Sequence, residues 1–451
     1  MAAGTVTGAQ IIDISRILQH PPRKFVANLI IWTFCVMLFD GFDIAAITYT
    51  APDMMKQWQI SPKMFGVIFS AAIFGIMIGS FVFGYIGDKI GRKKTLFIST
   101  AWFSLFTLAT VFAFSYESLL LLRFIAGVGL GGAVPQAIVL VSEYAPKGSG
   151  VKWVTVMFTG FSIGATLGGI LAAWLLPLFG WKSMFIVGGV IPLVVSVISY
   201  YLLPESIRFL SLQKGRRAEL IKIIGQLQPG LRIEPNAEFT MLDEKKDKKQ
   251  PGMFSLRMLF SGILGIATPI IWLFYIINSL AVFFLKSWFP VLFVAAGFTA
   301  AQASLTTAWF SFGGLIGGLL VGWVMDKYGM RAGTAFPLLG TLVTGILGYV
   351  SGMTLTVLVF FVGFFVVGTQ YILTACTPLF YPTAIRTNAD GIAIGIAKIG
   401  SIAGPVAGGI LIGMNMPVGQ LFVLVALPVA VSAVLCFILT TIYQRYYTEN
   451  L

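Results

Sequence analysis

The sequence predicts an all-α membrane protein, with twelve transmembrane helices in two pseudo-symmetric halves of six. Three observations predict it. Of the 451 residues, 57% are hydrophobic and only 10% charged, where soluble domains carry roughly 25% charge. Apolar stretches of about 20 residues, enough to cross roughly 30 Å of hydrocarbon at 1.5 Å per residue, recur along almost the whole chain. The basic residues between them fall mostly on one side. An ordinary soluble enzyme is excluded, and no catalytic constellation is expected.

In chain order the spans are expected at 25–49, 62–86, 95–114, 118–141, 152–176, 181–203, 259–283, 301–325, 333–350, 354–380, 388–413 and 418–440. The polar segment Met1 to Lys24 is too long and mixed for a cleavable signal, and the first apolar run is full length. With both termini inside, 24 of the 30 Lys and Arg lie in inner segments; Lys56, Lys63, Lys182 and Lys286 fall outside, and Arg123 and Lys398 within spans. This split follows the positive-inside rule and favours twelve spans over eleven or thirteen. The net charge of +13 therefore reports membrane orientation. A nucleic-acid partner, which needs basic clusters and stacking aromatics on a folded polar surface, is not expected.

Cys35, Cys376 and Cys436 sit inside apolar spans without CxxC spacing, and His20 is the only histidine. They read as small core residues, and neither a metal site nor any other cofactor is expected. No Gly-x-x-x-x-Gly-Lys-Ser/Thr cradle for phosphates occurs, so the energy source is expected to be a gradient.

Residues 1–203 are expected to form the first bundle, 204–257 a cytoplasmic linker and 258–451 the second bundle. The linker carries the charge run Asp243 to Gln250. Between Ser211 and Leu227, Leu212, Leu220, Ile223, Ile224 and Leu227 recur at helical spacing, which fits a helix lying on the inner membrane surface as well as a solvated linker. The halves repeat. Gly84-Tyr-Ile-Gly-Asp88-Lys-Ile-Gly91-Arg-Lys-Lys94 matches Gly322-Trp-Val-Met-Asp326-Lys-Tyr-Gly329-Met-Arg331 at an offset of 238, and Phe74-Gly75 and Gly79 match Phe312-Gly313 and Gly317. Gly160, Gly164, Gly168 and Gly169 match Gly400, Gly404, Gly408 and Gly409 at 240. Repeated halves point to a transporter with its site at their interface, near the bilayer midplane.

Four charges inside spans carry the chemistry. An ionised side chain in the bilayer is costly and is usually functional. Asp40 and Asp43 are three apart in the first span, on neighbouring parts of one helix face. Arg123, at about the same depth in the fourth, is their expected partner. Two carboxylates this close would share a proton, one of them staying charged against Arg123, which makes the three residues the expected proton-coupling site; a static structural ion pair is the alternative. Lys398 lies near midplane without an obvious partner and suits a substrate carboxylate, the alternative being pairing with a protein acid such as Asp390. Gln136, Asn278, Trp309, Phe310, Gln370 and Tyr371 are expected to complete the pocket. At the repeat offset Asp40 falls on Asn278, so the second half keeps a polar residue there without the carboxylate.

The Gly84 to Lys94 loop resembles the signature of the major facilitator superfamily. That resemblance implies a gate on the inner face built from Gly84, Asp88, Gly91 and Arg92, with Asp326, Arg331 and Arg386 as counterparts. Asp88 is expected to accept hydrogen bonds from a neighbouring helix N-terminus, and the glycines to permit close helix approach. Phe39-Asp40-Gly41-Phe42-Asp43, the segment Arg123 to Gln136, Ser142-Glu143-Tyr144-Ala-Pro146, Leu203-Pro204-Glu205-Ser206-Ile-Arg208-Phe209-Leu210 and Tyr381-Pro382-Thr-Ala-Ile-Arg386 are similar to the aromatic acid:proton symporters within that superfamily. The resemblance covers the whole chain. It implies proton-coupled import of a benzoate-like or hydroxylated aromatic carboxylate across a bacterial inner membrane, by a protein working as a monomer in the lipid bilayer. Gln136 stands where the family more often has Asn, and Lys398 where Arg is common. Gly164 is followed by Ala165 rather than by the proline that drug antiporters carry in the fifth helix, which leans towards symport. A proton-driven drug or organic-anion exporter of the same superfamily is the alternative, and a non-transporting sensor with this fold a more remote one.

Overall fold

The computed structural model describes residues 10–146, 148–234, 237–240, 256–382 and 385–448. Lys147, the charge run 243–250, Thr383 and Ala384 of the Tyr381–Arg386 motif, and the ending 449–451 lie outside them. Among the described residues, twelve helices are long and apolar enough to cross a membrane: α1 Arg23–Trp58, α2 Pro62–Ile90, α3 Arg92–Phe112, α4 Tyr116–Tyr144, α5 Gly150–Phe179, α6 Lys182–Leu202, α7 Leu264–Ala295, α8 Ala300–Tyr328, α9 Met330–Tyr349, α10 Gly352–Phe380, α11 Arg386–Gly413 and α12 Val418–Tyr446. The protein is a multi-pass membrane protein.

Local sequence sets where these helices start. Ser61 caps α2 by accepting from the Met64 N–H, with Pro62 in the first turn. Ser115 with Ser118, and Thr299 with Gln302, form reciprocal capping boxes on α4 and α8. Each of these satisfies amide donors that a helix start leaves bare. Gly91 and Gly329 take φ of +104° and +80° and let the chain reverse within one residue between α2 and α3 and between α8 and α9. In α10 a π-helical turn at Gly363–Val367 lies about one turn before Gln370 and Tyr371.

Helix α7 corrects one expectation. It runs to Ala295, so Lys286 lies inside a membrane helix and not in an outer loop. The apolar sequence resumes at Trp288 and continues to Val294, and a single lysine does not end a 32-residue helix. Of the four basic residues expected outside, Lys56, Lys63 and Lys182 remain at helix ends.

The internal repeat is a repeat of backbone contacts. A Cβ on Gly79 would lie 1.9 Å from the Val128 carbonyl oxygen, and one on Gly317 2.0 Å from that of Phe364. Likewise Gly164 faces the Leu38 oxygen at 1.8 Å and Gly404 that of Leu280 at 2.5 Å. These glycines seat α2 on α4, α8 on α10, α5 on α1 and α11 on α7 at distances only a bare backbone allows. The halves meet through α2 with α11, α5 with α8 and α1 with α7.

Residues before α1 and after α6 build a cap on the first half. Strands β1 Ile11–Asp13 and β2 Glu238–Thr240 pair in parallel, Ile11 opposite Glu238. The helix Arg217–Leu227 buries Leu220, Ile223, Ile224 and Leu227 in one cluster with Ile12, Ile14 and Ile17 and with Leu140, Val141 and Tyr144 at the end of α4. The apolar face expected on the membrane surface, or in a solvated linker, is packed on protein instead; Leu212 alone of that series is exposed. The helix finds a closer apolar partner than lipid in the segment Ile12–Ile17, 200 residues away, which periodicity cannot reveal. We call this end of the bundle the cap side.

Candidate functional site

The first cluster lies within the first half. Arg123 of α4 forms a two-toothed ion pair with Asp43 of α1, both side chains fully buried: Nη2 meets Oδ2, and Nη1 meets Oδ1 at 3.3 Å. Thr107 of α3 donates to the same Oδ1 at 2.5 Å, and the Phe185 ring of α6 covers the guanidinium at 5.6 Å. Four helices thus meet on one buried charge pair. The expected partnership is present, but for Asp43 alone. Asp40 and Asp43 make no hydrogen bond to one another; three residues apart, they diverge by about 60° around the helix. Asp40 is buried, its Oδ1 accepts no hydrogen bond among the described residues, and its charge interacts with that of Asp43 and, less strongly, across the half-to-half boundary with Lys286 of α7 and Lys398 of α11.

A cavity of about 900 Å³ separates the halves on the cap side. Its lining includes Ser142 and Val151 from the first half and Tyr275, Phe283, Gln370, Tyr371, Asp390 and Lys398 from the second. Large apolar walls with a few convergent polar groups are what a small-molecule site requires. Lys398 forms no ion pair among the described residues, and neither does Lys286, whose ammonium sits 4.6 Å from the Phe161 ring centre. Lys286 lines a small second cavity, about 30 Å³, together with Arg123, Thr48 and Phe69. Asn278 is buried and donates to Gln370 Oε1 at 2.7 Å, so one holds the amide of the other at the cavity wall.

Three expected pocket residues lie elsewhere. Gln136 donates to the Phe83 carbonyl at 3.0 Å and fills the space beside Gly87, inside the first half. Trp309 is 45% exposed and packs on Phe312 and Phe360 at the outer surface of α8. Phe310 is buried against Phe289, in the interior of the second half. In a chain this rich in aromatics, helix rotation decides which ring meets a cavity, and one-residue neighbours on a helix point about 100° apart.

Away from the cap the halves are closed on each other. Ser70 of α2 donates to the Ile402 carbonyl of α11 at 2.6 Å, Gly66 abuts Pro405, Gly409 abuts Pro62, and Gly169 abuts Ser304 and Ala308. The cavity is therefore reached from the cap side.

At the cap-side end of α2, Asp88 pairs with Arg92 one turn on, across Gly91. Among the described residues Asp88 accepts from no helix N-terminus in this conformation; the start of α3 is bound by Glu205, whose Oε1 accepts from the Lys93 and Ser206 N–H groups, each at 2.9 Å, with Arg216 3.8 Å from Oε2. A side chain on Gly91 would overlap that carboxylate. Tyr144 donates to the Glu205 carbonyl and Ser206 to Glu143, tying the ends of α3, α4 and α6 together. In the second half Met330 replaces Arg92, and the exposed Asp326 and Arg331 make no ion pair among the described residues. Arg386 donates to the Tyr381 carbonyl at 3.3 Å. Gly84 and Gly322 face open space: a methyl group at either position would meet nothing within 4 Å, and neither glycine makes a close helix contact in this conformation.

Sequence reading missed Lys286, Thr107 and Glu205. The uninterrupted apolar run to Val294 could have revealed the first. Glu205 stands in the Leu203–Leu210 motif with no chemistry to single it out, and nothing distinguishes Thr107 among the threonines of its span.

The sequence model of the Major Facilitator Superfamily matches residues 33–274. The chain belongs to this superfamily. It is 35% identical to a gallate transporter of Pseudomonas putida, over 94% of each chain. It is 32% identical to a 4-hydroxybenzoate transporter of Acinetobacter baylyi, over 95% of this chain and 94% of the other. Its fold matches, at a TM-score of 0.71 and 14% identity over 94% of this chain and 98% of the other, the solved structure of a bacterial homologue of the human lysosomal transporter Spinster in an inward-facing, unoccupied conformation.

Proposed function

We propose that this protein imports a benzoate-like or hydroxylated aromatic carboxylate together with protons, by alternating access, across a bacterial inner membrane, with its termini and cap in the cytoplasm. The arrangement of Asp40, Lys286 and Lys398 carries the reading. One buried carboxylate with an oxygen that accepts no hydrogen bond, and two ammonium groups on the other half that form no ion pair among the described residues, lie within the membrane helices, and Lys398 lines a cavity with aromatic walls. The relatives named for gallate and 4-hydroxybenzoate transport point to a ring bearing a carboxylate, which such a cavity suits.

The coupling follows from charge. An ionised Asp40 offers the two lysines an internal counter-charge. A proton on Asp40 removes it, and the carboxylate of the substrate takes its place near Lys398, with Lys286 as the second cation. Proton and substrate each favour the binding of the other, the reciprocal linkage that symport needs. The Asp43–Arg123 pair is a second proton-exchange site in this scheme, with Thr107 and Arg123 as the hydrogen-bond donors to its carboxylate. Gln370, held by Asn278, and Tyr371 contact the ring or its hydroxyls. The cap side, open in the conformation described, is the cytoplasmic side in this reading, and the loops around Asp88 and Asp326 latch that side when the far side opens.

Uptake into proteoliposomes tests the proposal: radiolabelled benzoate, 4-hydroxybenzoate and gallate are offered with an imposed inward proton gradient. Accumulation above the level reached without the gradient is expected. Gradient-driven loss of a preloaded cationic drug, without acid uptake, would overturn the reading in favour of an exporter.

A further inference from the structure

The cap side holds a second polar cavity, about 430 Å³, outside the translocation path. It lies where the ends of α1, α3 and α6 meet the cap helix Arg217–Leu227, and Lys24, Lys93, Tyr201, Glu219 and Lys222 are among its walls. Next to it a groove of about 330 Å³ runs down the outer surface between α3 and α6, walled by Phe97, Ile98, Val197 and Tyr200, with Lys94 beside them. Tyr201 lines both spaces, and the Lys93 ammonium stands 5.0 Å from the Tyr200 ring centre, at their junction.

We propose that this composite site binds an anionic phospholipid, its phosphodiester among Lys24, Lys93 and Lys222 and one acyl chain in the α3–α6 groove. The charge balance favours an anion. The two acids at the cavity already face donors: Glu205 accepts through Oε1 from two backbone N–H groups, with Arg216 3.8 Å from its Oε2, and Glu219 accepts from Arg216 at 2.7 and 2.9 Å. The three lysines form no ion pair among the described residues. Four cations, Arg216 included, stand against two carboxylates, an excess of +2. The groove identifies the anion as lipid. Ile98 and Val197 are 39% and 44% exposed on a face that meets hydrocarbon, and Tyr201, 77% exposed, sits at the level where tyrosines meet headgroups. Clustered basic side chains at the membrane surface attract anionic lipid, and a basic pocket between helices fixes one headgroup. The cap helix supplies Lys222 from above, so the headgroup is enclosed between membrane and cap.

Native mass spectrometry of the full chain, with equal amounts of phosphatidylglycerol and phosphatidylcholine in the micelle, tests this. Selective retention of phosphatidylglycerol is expected. The double variant Lys24→Gln/Lys222→Gln is expected to reduce that retention roughly thirty-fold, from two lysines near the surface, and Lys63→Gln/Lys182→Gln, on the opposite face, to leave it intact. Equal retention of the two lipids, or full phosphatidylglycerol retention in Lys24→Gln/Lys222→Gln, overturns the proposal. Displacement of the lipid by inorganic phosphate would make the pocket a site for a soluble anion and also overturns it. Should the double variant not fold, the lipid selectivity and the phosphate competition, both read on the unmodified chain, still decide.

Discussion

Asp43 and Arg123, 80 residues apart in sequence, close a two-toothed ion pair in which neither side chain reaches the surroundings. Buried pairs are poor sources of net stability, yet breaking one strands a charge at a cost of about 3–5 kcal/mol. Asp43→Asn and Arg123→Gln are each expected to lower the unfolding temperature of the purified protein and abolish uptake, whereas the double variant regains stability without regaining uptake. If the double variant were no more stable than the singles, the pair would not be the coupled unit described.

Asp40 is predicted to couple transport to protons without being needed for translocation. Asp40→Asn fixes it in a neutral state, so exchange of labelled for unlabelled substrate across proteoliposomes should persist while accumulation driven by an imposed gradient is lost. Loss of both would make Asp40 a structural residue.

Removing the ammonium at Lys398 should weaken carboxylate binding by about 2 kcal/mol, roughly thirty-fold, since a buried charge would lose its partner. Lys286→Ala should weaken it less, because its ammonium stands over Phe161 and lines the smaller cavity. Isothermal titration with 4-hydroxybenzoate reads both. Unchanged affinity in Lys398→Ala would remove this residue from the site.

Two glycines should behave in opposite ways. Gly164→Val puts a side chain 1.8 Å from the Leu38 carbonyl, so α5 separates from α1 and the protein is expected to unfold or fail to accumulate in the membrane. Gly84→Val meets open space here and should leave the unfolding temperature unchanged. If α2 closes on the second half in the outward-open state, Gly84→Val should still slow transport at least ten-fold, or about 1.4 kcal/mol. Normal transport by Gly84→Val would exclude a gating contact at that position.

Gln136 is placed in the interior of the first half and not in the pocket, and a substitution can check that placement. With its amide on the Phe83 carbonyl, Gln136→Leu leaves a buried acceptor without its donor and should cost about 1–3 kcal/mol of stability. Substrate affinity should not change, as measured by the same titration.

Much of this was legible in one dimension because the bilayer imposes one-dimensional rules. A run of apolar residues long enough to span must be a helix, and charge cannot easily stay within it. Hence the twelve spans and the salience of Asp40, Asp43, Arg123 and Lys398. Equal depth was enough to match Asp43 with Arg123. The glycine repeats were visible as letters, and their carbonyl partners explain why those letters are glycines. Where reading failed, rotation or distance was responsible. Trp309 and Phe310 are adjacent letters, one at the outer surface and one in the interior, and neither is in the cavity. Glu205 reaches the start of α3 from 112 residues away, a distance no periodicity spans.

The sequence by itself determined the membrane class, the number of helices, the two-fold repeat and which charges must be accommodated inside, because the energy of placing each residue in hydrocarbon depends on its own chemistry. The tertiary structure decided the partners. It paired Asp43 with Arg123 and left Asp40 outside that pair, brought Lys286 from an expected outer loop into a membrane helix, and folded the linker helix onto the segment Ile12–Ile17. Helix rotation and helix–helix contact arise from the packing of whole surfaces, which no single span encodes.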